Sequence, residues 1–186
     1  VLDSCRMETV AYNGASLVSF YQNGTIVNSR VSNSVIVCGE KGANSIFTKS
    51  LSGKILNCCL ANNLITYSSS AEMGELACYV NSGSQISNCY VKNSNKQTKS
   101  VYKFAYTIES NSTLTNCFTY SNVSLWYSNK GSVNYYTYDA NFKIINDNRE
   151  VITMLNQWID ENQQYYSDFQ FKKWIRNTTT IPAIYL

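Results

Sequence analysis

Four short segments of this chain share one frame at a nearly constant interval. They are Ile26-Val27-Asn28-Ser29-Arg30-Val31, Ile55-Leu56-Asn57-Cys58-Cys59-Leu60, Ile86-Ser87-Asn88-Cys89-Tyr90-Val91 and Leu114-Thr115-Asn116-Cys117-Phe118-Thr119. Their asparagines lie 29, 31 and 28 residues apart. A fixed period in this range means a solenoid, propeller or array, because so small a unit buries a hydrophobic face only by stacking on its neighbours. Aligned on the asparagine, Ile26, Ile55, Ile86 and Leu114 form a column two residues before it. Val31, Leu60, Val91 and Thr119 stand three after, Asn33, Asn62, Asn93 and Ser121 five after, and Val35, Leu64, Asn95 and Val123 seven after. Eleven before stand Leu17, Ile46, Ala77 and Ala105.

Apolar columns separated by polar or turn residues are what half-buried strands require. The alternation changes parity at the asparagine, which predicts a corner there, with positions −2, +1, +3 and +7 facing inward. Asn tolerates left-handed backbone and bonds neighbouring backbone groups, so it suits a corner. Stacked corners place Asn28, Asn57, Asn88 and Asn116 above one another, each amide bonded to the next, a structural ladder in place of a ligand site. Strands repeated at this period without intervening helices stack in parallel, one strand spacing of about 4.8 Å apart. A propeller blade needs about 40 to 45 residues, and leucine-rich repeats show a leucine spacing this chain lacks. The expected fold is mainly β: a right-handed parallel β-helix with about 29 residues per coil over 1–138, followed by a C-terminal capping segment over 139–186.

Composition narrows the partners. A formal net charge of +3, from 15 basic and 12 acidic residues, forms no basic stripe and argues against nucleic acid. Charged residues total only 15%, against roughly 25% in ordinary soluble domains. Asn, Ser, Thr and 15 tyrosines must cover the surface instead. No apolar run approaches the roughly 18 residues of a membrane span. Val1 starts inside what reads as a damaged repeat, Leu2-Asp3-Ser4-Cys5-Arg6-Met7, with Ser4 in the asparagine's place. The chain is therefore expected to be a piece of a longer exported protein, with any export signal already removed or lying upstream. Seven cysteines cannot all pair. Cys58, Cys89 and Cys117 share one repeat register, which predicts a buried, reduced column and not a disulfide framework. With no His and no CxxC pair, no metal site and no cofactor are expected.

Gly14-Ala15-Ser16-Leu17-Val18 with Gly24-Thr25-Ile26-Val27-Asn28-Ser29 resembles the GLUG-motif repeat, roughly GGLVG…GG-I-x-N-C/S-Y-A-x-G-x-V. The frame recurs in Gly42-Ala43-Asn44-Ser45-Ile46 with Gly53-Lys54-Ile55-Leu56-Asn57-Cys58. It recurs again in Met73-Gly74-Glu75-Leu76-Ala77 with Ile86-Ser87-Asn88-Cys89, and in Tyr102-Lys103-Phe104-Ala105 with Leu114-Thr115-Asn116-Cys117. The resemblance covers about residues 1–138. Most of the pattern's glycines are lost, and Asn replaces Gly at the second corner.

The remaining residues follow a different pattern. A helix is expected over about 148–162, with Asp147 and Glu150 as a capping box. Val151, Ile152, Leu155, Trp158 and Ile159 form its apolar stripe. Leu155-Asn156-Gln157-Trp158-Ile159-Asp160, then Lys173-Trp174, then Ile181-Pro182-Ala183-Ile184, is similar to the closing segment of many Bacteroidetes surface proteins, where such a helix precedes a Trp-containing strand and a terminal strand. An open solenoid end invites aggregation, so this segment is expected to seal it, with Trp158 and Trp174 in its core.

Signs of catalysis are sparse. From Gly14 to Tyr138 the only acids are Glu40, Glu72, Glu75 and Glu109. Glu40 and Glu72 could meet on adjacent coils at a glycosidase-like separation, although turn carboxylates are ordinarily solvated. The absence of His removes the commonest general base. Lys92, Lys96, Lys99 and Lys103 read as a solvated turn, or else as a contact for an acidic glycan. Sequons at Asn23, Asn111, Asn122 and Asn177 are expected by chance in so Asn-, Ser- and Thr-rich a chain. Position +2, held by Arg30, Cys59, Tyr90 and Phe118, should face outward, and Tyr120, Trp126 and Tyr127 add aromatics nearby. Tyr90, Phe118, Tyr120, Trp126 and Tyr127 are thus the candidate binding residues, for a surface glycan or a host or bacterial protein. The expected function is a non-catalytic stalk or adhesion module at the cell surface; a carbohydrate-active enzyme or glycan-binding domain on the same fold is the rival.

Overall fold

In each of four successive coils the chain turns through a left-handed asparagine. Asn28, Asn57, Asn88 and Asn116 have φ of 51°, 53°, 55° and 49°. The Nδ2 of Asn57 donates to Asn28 Oδ1 at 2.7 Å, that of Asn88 to Asn57 Oδ1 at 2.8 Å, and that of Asn116 to Asn88 Oδ1 at 2.7 Å. The expected ladder is therefore present. The computed structural model describes residues 1–8, 14–38, 42–66, 72–92, 102–120, 125–138, 142–145, 147, 149–176 and 182–184.

Strands on either side of this corner stack in parallel in one nine-stranded sheet. Lys54–Leu56 lies between Thr25–Val27 and Gln85–Ser87, and Cys59–Ala61 lies between Arg30–Ser32 and Tyr90–Lys92. A five-stranded sheet of Ser19–Gln22, Thr48–Leu51, Ala77–Val80, Ala105–Ile108 and Ser128–Asn129 forms another wall. Leu64–Thr66, Val35–Val37 and Arg6–Glu8 make a third, and Ala43–Asn44 pairs with Glu72–Met73. The result is a mainly β parallel solenoid with coils about 29 residues apart. Its interior is filled by Ile55, Ile86, Leu114, Leu60, Val91 and the thiols of Cys58, Cys89 and Cys117, all at most 1% exposed.

Three register expectations need correction. Position +7 does not face inward: Leu64 is 42% exposed, while Ile36 and Ile65 one residue later are buried. Asn33 and Asn62 also adopt left-handed φ, 50° and 57°, so a second corner flips the parity again. Ser4 belongs to that second corner: Leu2 pairs with Val31, Ser4 has φ 54°, and the Cys5 amide donates to Ser34 Oγ. Cys5 is thus no member of the thiol column. Finally, Ala77 stacks on Thr48 and not on Ile46, and the Ile46 amide bonds the Glu75 carbonyl. Two extra residues in the turn before Gln85, where Gly83 takes φ 79°, account for the 31-residue step.

The C-terminal helix α1 runs Val151–Asn162. Its N-cap is Glu150 with no side-chain cap bond, while Asp147 is engaged by Arg149, so the expected capping box does not form. Trp174–Arg176 and Pro182–Ile184 form an antiparallel hairpin after it. The segment does not sit over the solenoid's end but lies along its flank, on the asparagine corner. Second protons of the ladder amides reach its carbonyls: Asn88 to Leu155 at 3.1 Å, Asn57 to Lys172 at 2.8 Å, and Asn28 to Gln170 at 2.7 Å. Trp174 Nε1 donates to Asn57 Oδ1 at 2.5 Å. The stripe differs in detail from expectation: Met154 is buried with Val151, Leu155 and Ile159, whereas Ile152 and Trp158 are half-buried. The solenoid's C-terminal end is instead finished by a shortened coil. Leu114 pairs with Val133 and Cys117 with Tyr135, so Thr115 and Asn116 oppose the single residue Asn134. Asn134 is not left-handed, and the ladder stops at Asn116.

Candidate functional site

The five candidate binding residues separate into three environments. Tyr90 and Phe118 do point away from the solenoid interior, as their strand parity dictates, but both are fully buried. The returning C-terminal segment covers them, which removes them from the candidate surface. Tyr90 stacks on Tyr138 at 5.4 Å and meets Trp174 edge-on at 6.4 Å, and Tyr138 Oη donates to Tyr90 Oη at 3.1 Å. Burial pushes the Tyr90 phenol far above its ordinary value, as its place in a dry second core demands. Tyr120, 43% exposed, lies at the edge of this core against Tyr138. Trp126 faces the other way, onto the solenoid core, edge-on to Tyr135 at 5.5 Å. Only Tyr127, 65% exposed, presents a large aromatic surface to solvent among the five. Trp126 and Tyr127 lie just before the strand Ser128–Asn129, and the chain there turns the first onto the core and the second to solvent.

Tyr127 stands on the outer face of the five-stranded sheet, in a cluster the repeat pattern did not disclose. Its ring stacks on Tyr106 with centroids 4.9 Å apart and planes 3° from parallel. Tyr102 packs edge-on against both, at 5.8 Å from Tyr106 and 6.2 Å from Tyr127. Tyr79 is edge-on to Tyr106 at 6.5 Å, and its hydroxyl donates to the Glu72 carboxylate. The Tyr106 phenol is raised, first by desolvation and then by the Glu72 charge. A parallel stack turns one face of each ring against its neighbour, and of the four rings in the cluster Tyr127 is the one most open to solvent. That ring is held by Tyr106 and Tyr102 before any ligand arrives, which cuts the ordering cost of binding. Tyr106 and Tyr127 are 21 residues apart, because the last coil is shortened; no search at the 29-residue period would align them.

Of the glutamates, Glu75 is buried and paired with Lys103 at 2.5 Å, and Glu109 pairs with Lys130 at 3.3 Å. Glu40 lies outside the described residues, so its approach to Glu72 is not part of the described geometry. The lysine run is not one solvated turn: Lys103 is buried, and the Lys92 ammonium sits 4.7 Å from the Phe142 ring centre. Lys96 and Lys99 lie outside the described residues. Cys58, Cys89 and Cys117 are buried and unpaired, each thiol donating to the carbonyl two residues before it. Desolvation pushes the Cys58 and Cys117 thiols well above their ordinary value, the opposite of what a nucleophile needs. Among the described residues no group of three His, Cys, Asp or Glu is placed to hold a metal ion, and no helix is long and apolar enough to cross a membrane.

Comparison with protein-family models, with curated proteins and with solved structures finds no match to this chain.

Proposed function

We infer that this chain is a binding segment of an exported cell-surface protein, a solenoid that holds a glycan against the flank of its five-stranded sheet. The single observation that carries this reading is the tyrosine cluster: one ring face open at Tyr127, backed by Tyr106 and Tyr102, with the Glu72 carboxylate on the same cluster. A pyranose has an apolar C–H face and a hydroxyl rim. The face stacks on an aromatic ring, and the rim donates to a carboxylate, so the two features match a sugar better than a purely apolar ligand. Glu72 serves here as a hydrogen-bond acceptor oriented by Tyr79. The resemblance to GLUG repeats and to the Bacteroidetes closing segment supports the cell-surface setting and the stalk-like role. Among the described residues the cluster brings Glu72 and no second carboxylate, which supports binding without turnover, because hydrolysis by the usual route needs a second carboxylate beside the first.

A glycan array probed with wild type and Tyr127→Ala tests the reading. Binding to a restricted set of glycans, lost in Tyr127→Ala and weakened about tenfold in Glu72→Gln, is expected, since hydrogen bonds to a charged acceptor are worth about 1.5–3 kcal/mol. Equal array signals from wild type and Tyr127→Ala would remove it, and release of reducing sugar from a bound glycan would replace it with the enzyme reading.

A further inference from the structure

A second polar concavity lies on a different wall, where α1 meets the last complete coil. It measures about 150 Å³ and is lined by Asn116, Tyr136, Arg149, Met154, Gln157, Trp158 and Glu161. The four helix residues stand at i, i+3, i+4 and i+7, one stripe of α1. Opposite them is the point where the asparagine ladder runs out. Asn28, Asn57 and Asn88 each accept a bond at Oδ1 from the next amide in the ladder. Asn116 gives its protons to Asn88 and Met154, but its Oδ1 accepts from no group among the described residues, because the shortened coil brings no fifth corner above it. Gln157 donates to Glu161 Oε1 at 2.7 Å, which leaves the Gln157 carbonyl and the rest of the Glu161 carboxylate as acceptors. Glu161 has no ion-pair partner among the described residues. Arg149, held by Asp147, contributes a donor edge. Two aromatic rings complete the wall. Tyr136 is stacked on Phe118 at 5.3 Å, and Trp158 is set edge-on to Phe171 at 5.1 Å.

We propose that this cleft binds a single uncharged sugar residue, free or at the end of a glycan. Several acceptors and one cationic donor around two rings suit a ligand whose hydroxyls both donate and accept. Arg149 is already paired with Asp147, which disfavours an anion, and Glu161 faces the cleft beside Gln157 and two rings, a mixture of acceptors and apolar faces that suits a hydroxylated ring. The volume corresponds to about five waters at ~30 Å³ each, well under the roughly 300 Å³ of drug-sized sites, so one sugar ring is the limit. A hydroxyl donated to Asn116 Oδ1 would supply the partner that every other asparagine of the ladder finds in the protein. The site is independent of Tyr127, which stands on the five-stranded sheet.

The test follows the indole N–H resonances of the full chain, with that of Trp158 assigned through Trp158→Phe. Methyl glycosides of glucose, galactose, mannose and N-acetylglucosamine are titrated to about 100 mM, with butylammonium and glucuronate as charged counterparts. The expected result is a saturable shift of the Trp158 resonance with at least one neutral glycoside, the same in Tyr127→Ala. Gln157→Ala and Glu161→Gln, both on exposed residues, should each weaken it about tenfold. No shift with any neutral glycoside, a shift indifferent to both variants, or tighter response to butylammonium or glucuronate would overturn the proposal. A shift lost in Tyr127→Ala would overturn it too, assigning the sugar to the tyrosine cluster. A cleft that responds while array binding ignores Tyr127→Ala would leave this site standing and remove the other.

Discussion

Inside the coils, Ile55, Ile86 and Leu114 stack with the thiols of Cys58, Cys89 and Cys117, and each rung repeats the one before it. On the outside of the same corner, Cys59, Tyr90, Phe118 and Tyr138 are just as dry, but what covers them is Leu155, Ile159, Phe171 and Trp174, brought back from the far end of the chain. The inner core is built by translation: one residue pattern, copied, supplies every contact at one strand spacing. The outer core is built once, from residues without counterparts in the repeat. The asparagine ladder joins the two, since its amides bond along the column and outward to the returning segment. A change at the ladder therefore acts on both cores, whereas a change in either core acts first on its own side.

The largest expected effect is alkaline unfolding, which strikes both cores together. Burial pushes Cys38 and Cys59 up to about 12 and Cys78 higher still. The folded chain thus keeps thiol protons that the unfolded chain releases. Stability is full below about pH 8 and falls as pH rises toward 12, by about 1.4 kcal/mol per thiol per unit. Three such thiols over about two units come to about 8 kcal/mol, within the roughly 5–15 kcal/mol net stability of a domain. Circular dichroism against pH should show cooperative loss by about pH 11, and a flat stability profile from pH 8 to 11 would contradict the dry thiol environment.

Next in size is a contrast between two tryptophans of the returning segment. Trp174, 2% exposed and bonded to Asn57, should cost about 3–5 kcal/mol as Trp174→Ala. Trp158, half-buried at the cleft, should cost about 1–2 kcal/mol, in line with its smaller buried area. Urea denaturation of both variants measures the difference. Thiol labelling at low urea sharpens it: in Trp174→Ala, Cys59 should react before Cys89 if the outer core loosens first.

Asn88 tests the joint between the cores. It is buried and left-handed, and it makes three side-chain bonds. Asn88→Gly keeps the backbone geometry and loses the bonds, at about 2–3 kcal/mol; Asn88→Ala adds the left-handed penalty of about 1 kcal/mol more. Equal midpoints for Gly and Ala would mean the corner geometry is not under local control.

The smallest effect has the opposite sign. Thr119 holds the inner position that is Val or Leu in the other three coils, and its buried hydroxyl has no hydrogen-bond partner among the described residues. Thr119→Val should raise stability by about 1–2 kcal/mol, read from the same urea curves.

The period, the parallel stacking, the asparagine column and the buried thiols were legible in the residues themselves, because a stacked repeat meets its own copy at every rung and local pattern becomes tertiary contact. Cys58, Cys89 and Cys117 needed no more than their shared register. The limits came where translation fails. Asn33 and Asn62 made a second corner that exchanged Val35 and Leu64 for Ile36 and Ile65 as inward residues. The turn around Gly83 displaced Ile46 from Ala77. Strand parity correctly sent Tyr90 and Phe118 outward, yet parity says nothing about what lies beyond a wall. Only the tertiary structure decided that α1 and Trp174 cover that wall while Tyr127 stays open, because the path of a returning segment depends on contacts between residues 67 to 144 positions apart. The shortened last coil has the same character. By dropping one residue at the corner it ended the ladder at Asn116, and a separate 21-residue offset, where Thr107 meets Ser128, set Tyr127 over Tyr106.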